Sequence, residues 1–95
     1  MSNWTLCQYD QIDHLEKSFT FKKYSSAMAF CNLVAGLAET HVHHPRMVIE
    51  WGKVTVSWGT HKSKSGSGVL SIDKAMTERC DELFELLHQP LASLP

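Results

Sequence analysis

The sequence lacks several features that mark specialised classes of protein. Its nine Lys and Arg residues are matched by ten Asp and Glu residues, so the net charge is −1 and no basic excess exists. We therefore expect no direct nucleic-acid partner, because such proteins offset phosphate charge with a basic surface. No apolar run approaches the roughly 20 residues that span a bilayer, and no secretion signal is evident. These absences predict a cytoplasmic protein with no membrane partner.

Cysteine is sparse as well. Cys7, Cys31 and Cys80 are odd in number, widely separated and surrounded by apolar residues. This pattern predicts buried, reduced thiols and argues against a disulfide framework. With 95 residues, 43% of them hydrophobic, the chain can build one modest core. We expect a single domain over residues 1–95 with one small site.

The motifs of several common catalytic sites are also missing. No serine lies in a G-x-S-x-G elbow, and the zinc motif H-E-x-x-H does not occur. The glycines at 66 and 68 lack the spacing and the lysine of a phosphate-binding loop. Lys62 and Lys64 lie in a Ser/Gly-rich segment that is typical of a solvated loop. What remains is chemistry that histidine can perform without these motifs.

Four short segments have the alternation or the β-branched and aromatic content of strands. They lie at 4–9, 15–21, 47–51 and 54–58. The last two flank Gly52 and Lys53, so we expect a tight hairpin with the glycine at positive φ. In the last strand, the period of two places Trp58 on the packing face, and Ser57 on the opposite face together with His61.

Two segments have the apolar spacing of amphipathic helices. The first is expected to be capped by Ser25 or Ser26 and to end near residue 40. The second is expected to be capped by Ser71 and to be ended by Pro90. The apolar stripe of the first helix comprises Ala27, Phe30, Val34, Leu37 and His41. The order of elements predicts an α+β fold, with helices packed on one face of a four-stranded, mostly antiparallel sheet.

The segment from Glu39 to Pro45 concentrates acid–base side chains where the first helix ends. It contains His41, His43 and His44, and imidazole, with an ordinary pKa of about 6.5, exchanges protons near neutral pH. We expect Pro45 to stop the helix and the rings to face a cleft. A zinc site is disfavoured, because adjacent histidines do not easily reach one ion and no cysteine is near.

Two interpretations of the cluster remain open. Cationic imidazoles can neutralise the dipole at a helix C-terminus, and His41, on the apolar stripe, suits that structural role best. Alternatively, His43 and His44 can carry out proton transfer without a metal or a cofactor. Composition and spacing do not choose between them.

Fixed intervals connect this cluster to residues further along the chain. The pattern is Glu39, three residues, His43-His44-Pro45, five residues, Trp51, nine residues, His61, eleven residues and Asp73. It resembles the pattern of the pterin-4a-carbinolamine dehydratases. Trp4 and the segment 19–24 are also similar to that family, so the resemblance covers roughly residues 4–87.

The resemblance implies an activity as well as a fold. The family removes water from 4a-hydroxytetrahydropterin to give quinonoid dihydropterin, which recycles the cofactor of aromatic-amino-acid hydroxylases. The pterin is the substrate, so no cofactor and no metal are implied. A homodimer or homotetramer is expected, and apolar residues on the first helix, Met28, Cys31 and Ala35, could support self-association. Relatives also act as dimerisation cofactors for a homeodomain transcription factor, so an interaction module without essential catalysis is the alternative.

The resemblance also assigns roles to the histidines. It implies that His43 and His61 form the acid–base pair, while His44 holds the pterin and shares in proton transfer. Glu39 would orient a histidine through a charge-assisted hydrogen bond, or remain a solvated carboxylate at the helix end. Asp73 would orient His61, or only favour the start of the last helix.

Two further residues of the pattern have expected structural roles. Pro45 would fix the backbone after the histidine pair. The resemblance places Trp51, like Pro45, among the residues that bind or orient the substrate, although a tryptophan here is more often part of the core than a stacking surface.

Overall fold

The computed structural model describes residues 3–88, which form four strands and two helices. The elements in chain order are β1 (Thr5–Tyr9), β2 (Ile12–Thr20), α1 (Tyr24–His41), β3 (Arg46–Glu50), β4 (Lys53–Trp58) and α2 (Ser71–Leu87). This order confirms the predicted α+β fold. Pro90, which was expected to end the second helix, lies outside the described residues.

The four strands form one antiparallel sheet with the order β1-β2-β4-β3. The central strands β2 and β4 are paired so that Leu15 lies opposite Trp58 and Phe19 opposite Val54. Because side chains alternate along a strand, this register fixes which residues face the helices. The other face of the sheet carries polar side chains and no helix of the described chain.

Both helices contribute to a core on one face of the sheet. Val54, Val56 and Trp58 of β4 are fully buried, as the period of two predicted. They belong to one cluster with buried residues of β2, α1 and α2, namely Phe19, Ala27, Phe30, Cys31, Val34, Ala38, Met76 and Cys80. Burial of one large apolar side chain contributes roughly 1.5–3 kcal/mol, so this cluster holds the two layers together.

The buried stripe of α1 differs from the predicted one at its C-terminal end. It passes through Val34 and Ala38, whereas Leu37 is half-buried and His41 is exposed. The prediction for His41 was wrong because the helix extends beyond the edge of the core there. Cys31 is buried on the stripe, as predicted for the cysteines, so it does not support self-association as was also expected.

Neither helix begins at a serine cap as predicted. Helix α1 has Lys23 at its N-cap, with no side-chain hydrogen bond, and Ser25 and Ser26 lie in its first turn. Helix α2 has Leu70 at its N-cap, so Ser71 is its first helical residue. Asp73 takes over the capping function, because its carboxylate accepts a hydrogen bond from the Leu70 N–H at 2.9 Å.

The two hairpins depend on turns that the sequence did not fully reveal. Asp10 and Gln11 join β1 to β2 at φ of 53° and 65°, which gives the tight turn that suits paired strands. In the β3–β4 turn, Gly52 does not have the expected positive φ. Glycine is needed there for a different reason, since a Cβ would lie 2.9 Å from the carbonyl oxygen of Phe21.

No helix within residues 3–88 is long and apolar enough to cross a membrane.

Candidate active site

The backbone turn at the end of α1 positions the first histidine pair. Val42 adopts the left-handed conformation, at φ 49° and ψ 45°, and its side chain is 81% exposed. The His43 N–H then donates to the Ala38 carbonyl at 3.1 Å and closes the helix end. The helix therefore ends before Pro45, and the expectation that the proline stops it was wrong.

His43 is held between an aromatic ring and a buried carboxylate. Its ring stacks on Trp58, with centroids 5.7 Å apart and planes inclined by 19°. Its Nε2 lies 2.6 Å from Oδ1 of Asp73, whose side chain is fully buried. Because a carboxylate only accepts hydrogen bonds, Nε2 carries the proton and Nδ1 of the neutral ring is left as the basic nitrogen.

Asp73 has both carboxylate oxygens engaged by groups that fix its orientation. While Oδ1 accepts from His43, Oδ2 accepts from the Thr60 hydroxyl at 2.7 Å and from the Leu70 N–H at 2.9 Å. Asp73 thus both orients a histidine and caps α2. The histidine is His43, however, and not His61 as the sequence suggested.

His44 and Glu39 form a second carboxylate–histidine contact. Nε2 of His44 lies 2.5 Å from Oε2 of Glu39. Both side chains are well exposed, at 57% and 78%, so the pair contributes little to stability. As in the contact between His43 and Asp73, the carboxylate meets Nε2 of the histidine, so Nδ1 of His44 has no carboxylate partner. Glu39 therefore contacts His44, while its exposure is also that of the solvated helix-end carboxylate that the sequence left as the alternative.

His61 lies beyond the end of β4, on an exposed part of the chain. Its ring packs against His14, with centroids 5.7 Å apart and planes inclined by 82°. The structure brings neither His43 nor His44 into direct contact with it. The link between them is through the neighbouring residue Thr60, whose hydroxyl binds the carboxylate that holds His43.

Pro45 and Trp51 occupy different environments. Pro45 is half-buried directly after the histidine pair. Trp51 lies in the β3–β4 turn and is 69% exposed, so the prediction that it belongs to the core was wrong. Turn residues carry their side chains away from the sheet, and the core positions at this end are taken by Val54 and Val56.

The sequence did not reveal a polar cluster on the open face of the sheet. Glu16 accepts hydrogen bonds from the Tyr9 hydroxyl and from the Ser57 hydroxyl, the latter at 2.7 Å. The Arg46 guanidinium lies 4.0 Å above the centroid of the Tyr9 ring. Beside this cluster, His14 is buried. Recognising the Asp10–Gln11 turn would have placed Tyr9 and His14 on adjacent strands.

The cluster shifts the pKa of two of its members. The hydrogen bonds from Tyr9 and then from Ser57 lower the pKa of Glu16 below its usual range. The same bond to Glu16 raises the pKa of the Tyr9 hydroxyl, and burial adds to that rise. The carboxylate is therefore stabilised in its charged form and the phenol in its neutral form.

The cysteines are poor candidates for a nucleophile. None of the three forms a disulfide, as predicted, and Cys31 and Cys80 are buried. Cys7, on an edge strand of the sheet, is only half-buried, so the prediction that it is buried was wrong. Burial raises the pKa of the Cys80 thiol to about 12, although Trp58 donates a hydrogen bond to its sulfur at 3.3 Å. Since the thiolate is the reactive form, this thiol stays protonated at neutral pH.

Two surface cavities lie away from His43, His44 and His61. One, of about 650 Å³, is next to the start of α1 and is lined in part by Phe21 and His88. The other, of about 510 Å³, lies between α1 and α2 beside Leu33 and Leu86. Neither combines a histidine with a carboxylate partner, so the chemistry points to the histidine cluster as the candidate site. Among the described residues, no three His, Cys, Asp or Glu side chains are grouped closely enough to hold a metal ion.

Comparison with known proteins adds independent information. A family model described as "Pterin 4 alpha carbinolamine dehydratase" matches residues 1–83. A protein from Photobacterium profundum, provisionally named a pterin-4-alpha-carbinolamine dehydratase, is 45% identical over 82 residues, covering 86% of this chain and 73% of its own. A protein with the same provisional name from Marinobacter nauticus is 46% identical over 81 residues, covering 85% and 70%.

Solved structures are similar in fold. A transcriptional coactivator/pterin dehydratase from Brucella melitensis superposes with a TM-score of 0.70 at 29% identity, over 82% of this chain and 80% of its own. A pterin dehydratase-like protein described as a RuBisCO assembly factor in the alpha-carboxysome gives a TM-score of 0.69 at 23% identity, over 87% and 90%. The second likeness concerns the fold alone.

Proposed function

Since this chain belongs to the pterin 4 alpha carbinolamine dehydratase family, we propose that it dehydrates 4a-hydroxytetrahydropterin to quinonoid dihydropterin and water. The observation that carries the proposal is the buried contact between His43 and Asp73. It leaves one nitrogen of an oriented imidazole available as a proton acceptor beside a fixed negative charge.

The reaction needs two proton transfers. The C4a–O bond breaks with its electron pair on oxygen, and a proton delivered to that oxygen makes water the leaving group. A ring N–H loses its proton as the new C=N bond forms. A positioned general acid and a positioned general base typically each raise the reaction rate by about 10²- to 10⁴-fold. Two positioned imidazoles can therefore catalyse this step.

Each histidine has a proposed role. His43 is the general base, because Asp73 fixes its tautomer and stabilises the imidazolium that forms on proton transfer. His61 is the general acid that protonates the leaving oxygen. His44, oriented by Glu39 at 2.5 Å, holds the pterin and shares in proton transfer. Pro45 fixes the backbone after the pair.

The setting of the reaction is also part of the proposal. We propose that the enzyme needs no metal or cofactor, that it acts in the cytoplasm, and that it contributes to the recycling of a tetrahydropterin used by an aromatic-amino-acid hydroxylase. The free thiols Cys7, Cys31 and Cys80 support a reducing compartment. A homodimer or homotetramer is proposed because Leu33 and Leu86 are exposed on adjacent helices.

A dehydration assay on the purified protein tests this function. The 4a-hydroxytetrahydropterin is generated in solution, and its conversion is followed by ultraviolet absorbance with and without a chelator. We expect faster dehydration than the spontaneous reaction, unchanged by chelator. His41→Ala is a matched control, because it removes an exposed histidine outside the proposed site. A rate no higher than the spontaneous one would refute the proposal.

A protein-interaction role is the second candidate. The name of the Brucella melitensis relative combines transcriptional coactivator with pterin dehydratase, which supports a regulatory partner such as a transcription factor. A folded chain that fails the dehydration assay would favour this role over catalysis.

A further inference from the structure

Within the described chain, the ring of His61 has one aromatic neighbour and no hydrogen bond to fix it. The neighbour is His14, whose ring lies edge to face with it at 5.7 Å. His43 and His44, by contrast, are each held by a carboxylate. A group that delivers a proton must be oriented, so the contact with His14 takes the place of the missing hydrogen bond.

His14 is itself rigidly held. It is only 3% exposed, and its Nδ1 donates a hydrogen bond to the carbonyl oxygen of Ile12 at 2.9 Å. Gly59 makes room for the ring, because a Cβ at that position would lie 2.6 Å from Cδ2 of His14. A glycine at position 59 is thus needed to accommodate the buried ring of His14 on β2.

Further residues pack against His14. Tyr9 packs edge to face on it, with centroids 5.3 Å apart and planes inclined by 86°. The Tyr9 hydroxyl is tied to Glu16, and the Arg46 guanidinium covers the Tyr9 ring at 4.0 Å. A continuous row of contacts between these side chains, which we call the open-face stack, therefore runs from β3 to the segment after β4. It comprises Arg46, Tyr9, His14 and His61.

We propose that His14 is a positioning residue that sets the orientation of the His61 ring for proton transfer. The proposal rests on the proposed function, in which His61 is the general acid. Edge-to-face packing requires a flat ring at position 14, because the preference arises from the charge distribution of two rings. An aliphatic side chain of similar size fills the space without fixing the angle.

Kinetics of three variants test the consequence for catalysis. His14→Leu should lower kcat by about 10- to 100-fold, the cost of displacing a reacting group by about 1 Å, with KM changed less than about twofold. His14→Phe keeps the ring and should stay within about threefold of wild-type kcat. The control Ser18→Ala lies on the same face of β2, outside the open-face stack, and should leave kcat unchanged. Unchanged kcat in a folded His14→Leu protein, or an equal loss in His14→Phe, would overturn the proposal.

Proton NMR tests the positioning without reference to activity. In the wild-type protein, nuclear Overhauser effects should connect the rings of His14 and His61, and the His61 resonances should shift in His14→Leu but much less in Ser18→Ala. Absence of these ring-to-ring effects would overturn the proposal even if His14→Leu does not fold. A protein that shows them but does not dehydrate the pterin would refute the proposed function and leave the positioning of His61 intact.

Discussion

Replacement of Asp73 by asparagine should reverse the tautomer of His43 while preserving the shape of the site. In the native chain Oδ2 accepts two hydrogen bonds, from Thr60 at 2.7 Å and from Leu70 at 2.9 Å. In Asp73→Asn the new amide oxygen must take that position, because both partners are donors. The amide NH₂ then faces Nε2 of His43, which has to accept a hydrogen bond where it formerly donated one.

The effect on catalysis depends on which nitrogen of His43 remains free to accept a proton. With Nε2 accepting, the neutral His43 ring carries its proton on Nδ1 and can no longer act as a base there. The equivalent change in a buried carboxylate–histidine pair lowers kcat by about 10⁴-fold. We expect Asp73→Asn to lower kcat by roughly 10²- to 10⁴-fold.

Stability should change much less than activity. Asp73→Asn keeps the three contacts but loses the charge that strengthens them and that favours the start of α2, so we expect a loss of about 1–2 kcal/mol. Asp73→Ala is the matched comparison. It leaves buried donors without partners and should cost about 3 kcal/mol or more.

Nitrogen-15 NMR of the imidazoles reports the tautomer directly, and urea unfolding reports the free energy. A His43 ring that keeps its proton on Nε2 in folded Asp73→Asn would refute this reasoning, as would a kcat within a few-fold of the wild-type value.

Three further predictions concern stability and assembly. Val42→Gly should raise the free energy of unfolding by roughly 0.5–1 kcal/mol, because glycine relieves the left-handed strain and little packing is lost at a side chain 81% exposed; a lower urea midpoint would contradict it. The lowered pKa of Glu16 means that its contribution to stability is present above the unfolded-state pKa of about 4.3 and is lost as the pH falls through the folded-state value. Urea unfolding at several pH values should therefore show Glu16→Gln less stable than wild type at neutral pH, with the difference disappearing in acid, whereas a difference independent of pH would argue against this linkage. Sedimentation should show a symmetric oligomer, and a strict monomer at micromolar concentration would exclude self-association through Leu33 and Leu86.

The sequence predicted those parts of the fold that depend on local periodicity. The six elements and the buried face of β4, with Val54, Val56 and Trp58, follow from spacing alone. The turns were harder, because Asp10, Gln11 and Val42 adopt positive φ without being glycine. In these cases the pairing of the strands and the closure of the helix end outweigh the local preference of the residue.

For the candidate site, too, some features could be predicted from the sequence and others could not. The resemblance selected His43, His44, His61, Glu39 and Asp73, but it did not indicate which carboxylate meets which histidine. Asp73 and His43 are 30 residues apart, and only the packing of α2 against the end of α1 and β4 joins them. His14 was missed for a related reason, since its proposed role depends on a gap left by Gly59, directly after β4.

The kinetics of His61→Ala test the central claim most directly. The side chain is exposed, so its loss should change the free energy of unfolding by no more than about 0.5 kcal/mol. We predict that kcat for pterin dehydration falls by roughly 10²- to 10⁴-fold, with a smaller change in KM, because the proposed general acid would act in the transition state. A folded His61→Ala protein with unchanged kcat and KM would contradict histidine acid–base catalysis at this site.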